Sequence, residues 1–67
     1  MFAIPFQVCP SGRDRRWIVR LGNSFYGAYV DKEQALLDAV DAAQDTVQAG
    51  LQAEVWLKDR STTARVF

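Results

Sequence analysis

The chain has 67 residues, 49% of them apolar and 24% charged, with eight Lys plus Arg against eight Asp plus Glu. That is about half the usual domain length, which predicts one compact domain or a fragment, and an ordinary soluble composition, which excludes a disordered chain and a polybasic coat. A domain this small buries only about 60% of its unfolded surface, so its core is marginal without a staple.

Cys9 is the one cysteine and there is no histidine, so neither an intrachain disulfide nor a His-based metal site can supply that staple. Self-association is the expected substitute, with a homodimer favoured. A lone thiol suits a reducing compartment, which predicts a cytoplasmic protein. From Met1 to Cys9 no basic residue occurs, and Pro5 and Gln7 interrupt the apolar residues. Neither a signal peptide nor a membrane contact is therefore expected.

Along the chain, Phe2, Ile4, Phe6 and Val8 alternate with Ala3, Pro5 and Gln7, the period of a strand with one buried face. Pro5 has no N–H for a ladder, which predicts either a place at a sheet edge or a position where the missing donor would have pointed to solvent. Pro10, Ser11 and Gly12 predict a turn. Trp17, Val19 and Leu21 then share one side of a second strand, with Ile18 and Arg20 on the other. Gly22, Asn23 and Ser24 mark the next turn, and Phe25 to Val30 reads as a short third strand weakened or bulged at Gly27.

Asp31 followed by Gln34 three residues later forms a variant capping box and predicts a helix from about Lys32 to Ala49, stopped by Gly50. Leu36, Val40, Ala43 and Val47, flanked by Ala39, make its apolar stripe. That stripe is expected to pack on Trp17, Val19, Val55 and Leu57. From Leu51 to Lys58, alternation predicts a last strand whose polar side carries Glu54, Trp56 and Lys58. The expected fold is α+β: an antiparallel sheet of three to four strands, order β-β-β-α-β, with one helix on one face. Residues 1–58 form the domain and 59–67 a polar tail.

The spaced residues Val8, Pro10, Gly12, Trp17, Val19 and Gly22, then Asp31, Lys32, Ala35, Ala39 and Ala42, resemble the small bacterial proteins grouped as domain of unknown function 2188. Those carry a V-x-P-x-G turn, a W-x-V strand, a short third strand and a D-x-x-x-A helix leading to a last strand. The resemblance covers roughly residues 6 to 58. It departs in the longer, Arg-rich turn from Ser11 to Arg16 and in Lys58, Asp59, Arg60 and Ser61, which replace a Gly-containing end. It implies a fold and no activity. A weaker likeness, to antitoxin domains of the HicB type, lies in the helix opening from Asp31 to Leu36, which capping alone explains.

Catalytic chemistry needs an activated nucleophile or a placed acid and base. No histidine is present to activate Ser11, Ser24 or Cys9, so no enzyme and no cofactor are expected. Asp38, Asp41 and Asp45 share a helix ridge, but a ridge spreads carboxylates in a line where Ca²⁺ or Mg²⁺ needs converging oxygens, so no metal is expected.

Charge is unevenly spread. Residues 1–30 carry four Arg and one Asp, residues 31–57 carry Lys32 and six acids, and residues 58–67 carry three cations and one acid. A basic end and an acidic helix side follow. If the second and last strands share a sheet, Trp56, Ile18, Arg20 and Lys58 occupy its uncovered face, an aromatic, an aliphatic and flanking cations as in an interface core. The expected function is a small non-enzymatic binding or scaffolding module that self-associates through this face or a free edge, with Trp56 covered by a second copy. The alternative is a weak nucleic-acid binder using Arg13, Arg15, Arg16, Arg20 and Trp56.

Overall fold

A computed structural model describes residues 3–67; Phe2, expected in the first strand, lies outside them. The elements are β1 (Ile4–Pro10), β2 (Trp17–Leu21), β3 (Ser24–Tyr29), α1 (Lys32–Gln48), β4 (Ala53–Lys58) and β5 (Thr63–Arg65). They build one five-stranded sheet, order β3-β2-β1-β4-β5, with α1 on one face. The α+β class and the single covering helix agree with the sequence reading. The sheet does not: it is mixed, because β4 pairs parallel to β1 while β1–β2, β2–β3 and β4–β5 are antiparallel.

The helix is the reason. A connection through α1 returns the chain to the end of the sheet where β3 began, so β4 must run in the direction of β3 and β1. Because α1 also lies over the apolar face of β1 and β2, it carries the chain past both and sets β4 against the far side of β1. That places β1 in the centre, which excludes the edge position and leaves the other expectation for Pro5, a missing donor outside the ladder. Centrality is tolerated because a residue's N–H and C=O point to the same side of a strand. The Pro5 carbonyl accepts from Gly22 N–H at 2.9 Å, so the missing donor falls at the end of the β1–β2 ladder, one residue before Phe6 pairs with Leu21.

Residues 63–65, expected in a polar tail, pair with Leu57 and its neighbours as β5, and the Val66 N–H donates to the Val55 carbonyl at 2.9 Å. Phe67 packs against the core.

The core consists of Phe6, Val8, Val19, Ala35, Ala39, Ala43, Ala53 and Val55. The buried ridge of α1 is therefore Ala35, Ala39 and Ala43, rotated from the expected stripe of Leu36, Val40, Ala43 and Val47. Leu36 and Val40 are half-buried at its flank and Val47 is 46% exposed. Alanine at a four-residue spacing lets the helix backbone approach the sheet closely, and the valines and Phe6 of the strands fill the space. Leu51, expected to begin β4 facing the core, is 56% exposed, since the strand starts at Ala53.

Asp31 occupies the N-cap in extended conformation, but its side chain makes no capping hydrogen bond, so the expected capping box is absent. Its carbonyl accepts from Ala35 N–H. At the other end Gly50, at φ +93°, ends the helix as expected, its N–H donating to the Val47 carbonyl at 3.0 Å.

The register shift between Val19 and Arg20 marks a bulge in β3, near the expected Gly27. It lets Tyr26 reach the Phe6 ring edge-on at 6.0 Å while Phe25 turns to the opposite face opposite Arg20. Tyr29, half-buried against α1, has its phenol pKa raised above the ordinary 10.0, first by burial and then by the Asp38 carboxylate. A raised phenol pKa contributes stability that is present below pH 10 and is lost as pH rises through the folded value. Urea melts on the alkaline side should therefore show Tyr29→Phe losing less stability than the parent between neutral pH and about pH 11; equal losses would contradict this.

Candidate functional site

Alternation along the strands places Pro5, Gln7, Cys9, Ile18, Arg20 and Trp56 on the face away from α1, together with Glu54, Lys58, Arg65 and Phe25. The expected interface residues Trp56, Ile18, Arg20 and Lys58 thus share one face. The pairings align one residue from each strand into a row running Phe25, Arg20, Gln7, Trp56, Arg65. Aromatic, cation, amide, aromatic and cation follow one another at the strand spacing of about 4.8 Å.

Trp56 is half-buried, and its Nε1 donates to the Glu54 carboxylate at 2.9 Å. Its own chain covers it in part. Phe25 is the more open ring of the row, at 64% exposure. Sequence reasoning missed Phe25, because strict alternation through β3 places it on the core side and only the bulge turns it outward. Cations outnumber acids here: Arg20, Lys58 and Arg65 against Glu54, whose carboxylate is engaged by the indole. Arg65 is steadied by its Nε donating to the Phe67 carbonyl at 2.9 Å.

At the end of the sheet where β1 and β4 finish, the turn from Ser11 to Arg16 and the loop after Lys58 face each other across a cleft. Arg15, Arg16 and Arg60 line it with Asp14, Asp59 and Trp17. Both acids are tied to backbone: Asp14 accepts from Arg16 N–H at 3.0 Å, and Asp59 from Arg60 N–H at 2.8 Å. The first of these bonds holds the Asp14 carboxyl below its ordinary pKa. Arg13, in the same turn, is exposed and does not line the cleft. Arg60 joins this site because the chain beyond Lys58 folds back as β5, which a reading of residues 59–67 as tail conceals.

The free edges differ. β5 is only three residues long and ends in Arg65. β3 has six residues, SFYGAY, with no charge and no proline, and Phe25, Tyr26 and the following Val30 are exposed, Val30 at 77%. A separate apolar strip, Leu36, Leu37 and Val40 beside Glu33, lies along the flank of α1. Above Trp17, on the helix side, the Lys32 ammonium sits 5.8 Å from the ring centroid.

Among the described residues no helix is long and apolar enough to cross a membrane, and no group of three or more His, Cys, Asp or Glu stands close enough to hold a metal ion. Comparison with protein-family models, with curated proteins and with solved structures finds no match.

Proposed function

We propose that this chain is a small non-enzymatic binding or scaffolding module that self-associates by pairing the β3 edges of two copies. The observation that carries the reading is the β3 edge itself: six residues without charge or proline, of which Phe25 and Tyr26 are exposed, followed by exposed Val30. Natural edge strands are usually blunted by Lys, Pro, an inward charge or a bulge; β3 has the bulge near Gly27 but no charge and no proline, which leaves its residues Gly27 to Tyr29, in regular register with β2, as a template for another strand. Pairing about a two-fold axis would extend the sheet to ten strands and give partners to the unpaired N–H and C=O groups of β3.

The open face supports self-association less well than the edge. A two-fold contact there would set Arg20, Lys58 and Arg65 of one copy against the same cations of the other, with one engaged acid per copy in compensation. A six-residue edge is also small for an interface, so a dissociation constant of about micromolar or weaker is expected.

Ala28 is exposed at the middle of β3 and opposite Ile18, so Ala28→Lys adds an edge charge without disturbing the core. Across a concentration series in sedimentation velocity, the parent should shift from monomer to dimer and the variant should stay monomeric. A parent that is monomeric at every concentration, or a variant that dimerises equally well, would refute the assignment.

A further inference from the structure

We infer that the open sheet face, together with the arginine cleft at the end of the sheet, binds single-stranded nucleic acid. This does not rest on the β3 dimer.

Three observations converge on a planar, polyanionic ligand. The first is segregation of charge: Arg20, Lys58 and Arg65 stand on the open face, whereas Glu33, Asp38, Asp41 and Asp45 belong to the helix on the other side. An anionic polymer is drawn to one face and repelled from the other. The second is the row Phe25, Arg20, Gln7, Trp56, Arg65, in which two aromatic positions three strand spacings, about 14 Å of backbone, apart alternate with cations. Bases stacked on Phe25 and Trp56 would leave the phosphates that follow them beside Arg20 and Arg65, and Gln7 between them offers both a donor and an acceptor to a base edge. The indole is held in orientation by Glu54, so the platform is set before the ligand arrives.

The third is the cleft. Arg15 and Arg16 come from one loop and Arg60 from another, 44 residues later by their numbering, and the sheet brings them together at the end where Lys58 leaves the open face. Asp14 and Asp59, the acids beside them, are each occupied by a backbone N–H. The three guanidinium groups offer planar forks suited to phosphate oxygens, at the end of the sheet where Lys58 stands next in the chain to Asp59 and Arg60.

A duplex fits this site less well, because its bases are stacked on each other and unavailable to Phe25 and Trp56. An acidic peptide would satisfy the cations but make no use of the two rings. Both serve as competitors in the test.

The test is fluorescence anisotropy of a labelled single-stranded oligonucleotide of about ten nucleotides, within the usual range of such sites. Titration with the whole protein at about 50 mM and about 200 mM salt gives the salt slope. Binding is expected at the lower salt and should weaken steeply at the higher. Replacing Arg15, Arg16 and Arg60 together by Ala should reduce the slope of log K on log salt by about 2, at about 0.7 per phosphate contact on a single strand. Phe25→Ala, at an exposed position that leaves the core untouched, should weaken binding about tenfold without changing that slope. Ala28→Lys should bind at least as tightly as the parent, which separates this site from the dimer edge. The inference is overturned by absence of binding at the lower salt or by a triple variant with the parent's slope. It is equally overturned by a Phe25→Ala variant of unchanged affinity, or by polyglutamate or duplex competing as well as the single strand.

Discussion

Phe6→Ala should leave the protein largely unfolded at 37 °C. Phe6 is 2% exposed, lies between Leu21 on β2 and Val55 on β4, and meets Tyr26 edge-on. Truncating a buried phenylalanine costs about 3–5 kcal/mol. A domain of this length possesses roughly 3–10 kcal/mol at about 0.05–0.15 kcal/mol per residue. The loss therefore consumes most of the stability, and in a domain this small it lowers the melting temperature by about 20 °C. A circular dichroism melt shifted by only a few degrees would show that Phe6 does not anchor the β1 centre of the sheet.

Ala39→Leu should be the most damaging single change on the helix. Ala39 is fully buried at the middle of the Ala35, Ala39, Ala43 ridge, where the helix backbone meets the valines of the sheet. Three added carbons have nowhere to go, and forcing them in costs about 1–3 kcal/mol, or more where the backbone cannot shift. Leu36→Ala should be milder than a buried leucine truncation, about 1–2 kcal/mol, because Leu36 is only half-buried at the flank of the ridge. Urea midpoints decide between the two ridges. If Leu36→Ala proves more destabilising than Ala39→Leu, the helix faces the sheet as the large residues suggest and not as the alanines do.

This contrast shows where the sequence is legible and where it is not. Alternation in β1, β2 and β4 identifies the buried side of each strand correctly, since Val8, Val19 and Val55 are all fully buried. On α1 the same logic favours the largest apolar residues, yet close packing of a helix on a sheet selects small ones, and Leu36 and Val40 are left at the edge. The order of strands is illegible for another reason. Parallel pairing of β1 with β4 joins residues some fifty positions apart, Ile4 with Ala53 for instance, and no local pattern encodes it. Pro5 leaves two readings open, an edge strand or a missing donor outside the ladder, and the choice between them depends on where β2 stops.

The candidate site divides in the same way. That Trp56, Ile18, Arg20 and Lys58 share a face follows from alternation alone. That Phe25 joins them depends on the bulge, and that Arg60 meets Arg15 and Arg16 depends on β5, for which Thr63, Ala64 and Arg65 give no strand signal of their own. The polarity of the molecule is legible in part: of the acidic residues from Asp31 to Glu54, Asp31 stands at the N-cap of α1 and four lie on it, while Glu54 stands on the basic face and binds Trp56.

The most direct test of edge pairing is amide hydrogen exchange across β3, compared between dilute and concentrated protein. In a single copy, the β3 N–H groups that point away from β2 have no ladder partner and exchange quickly. Pairing of two copies predicts that these amides become protected as concentration rises, while the amides of β5 and of the Ser11 to Arg16 turn exchange at the same rate throughout. Exchange from β3 that is fast and independent of concentration would contradict it.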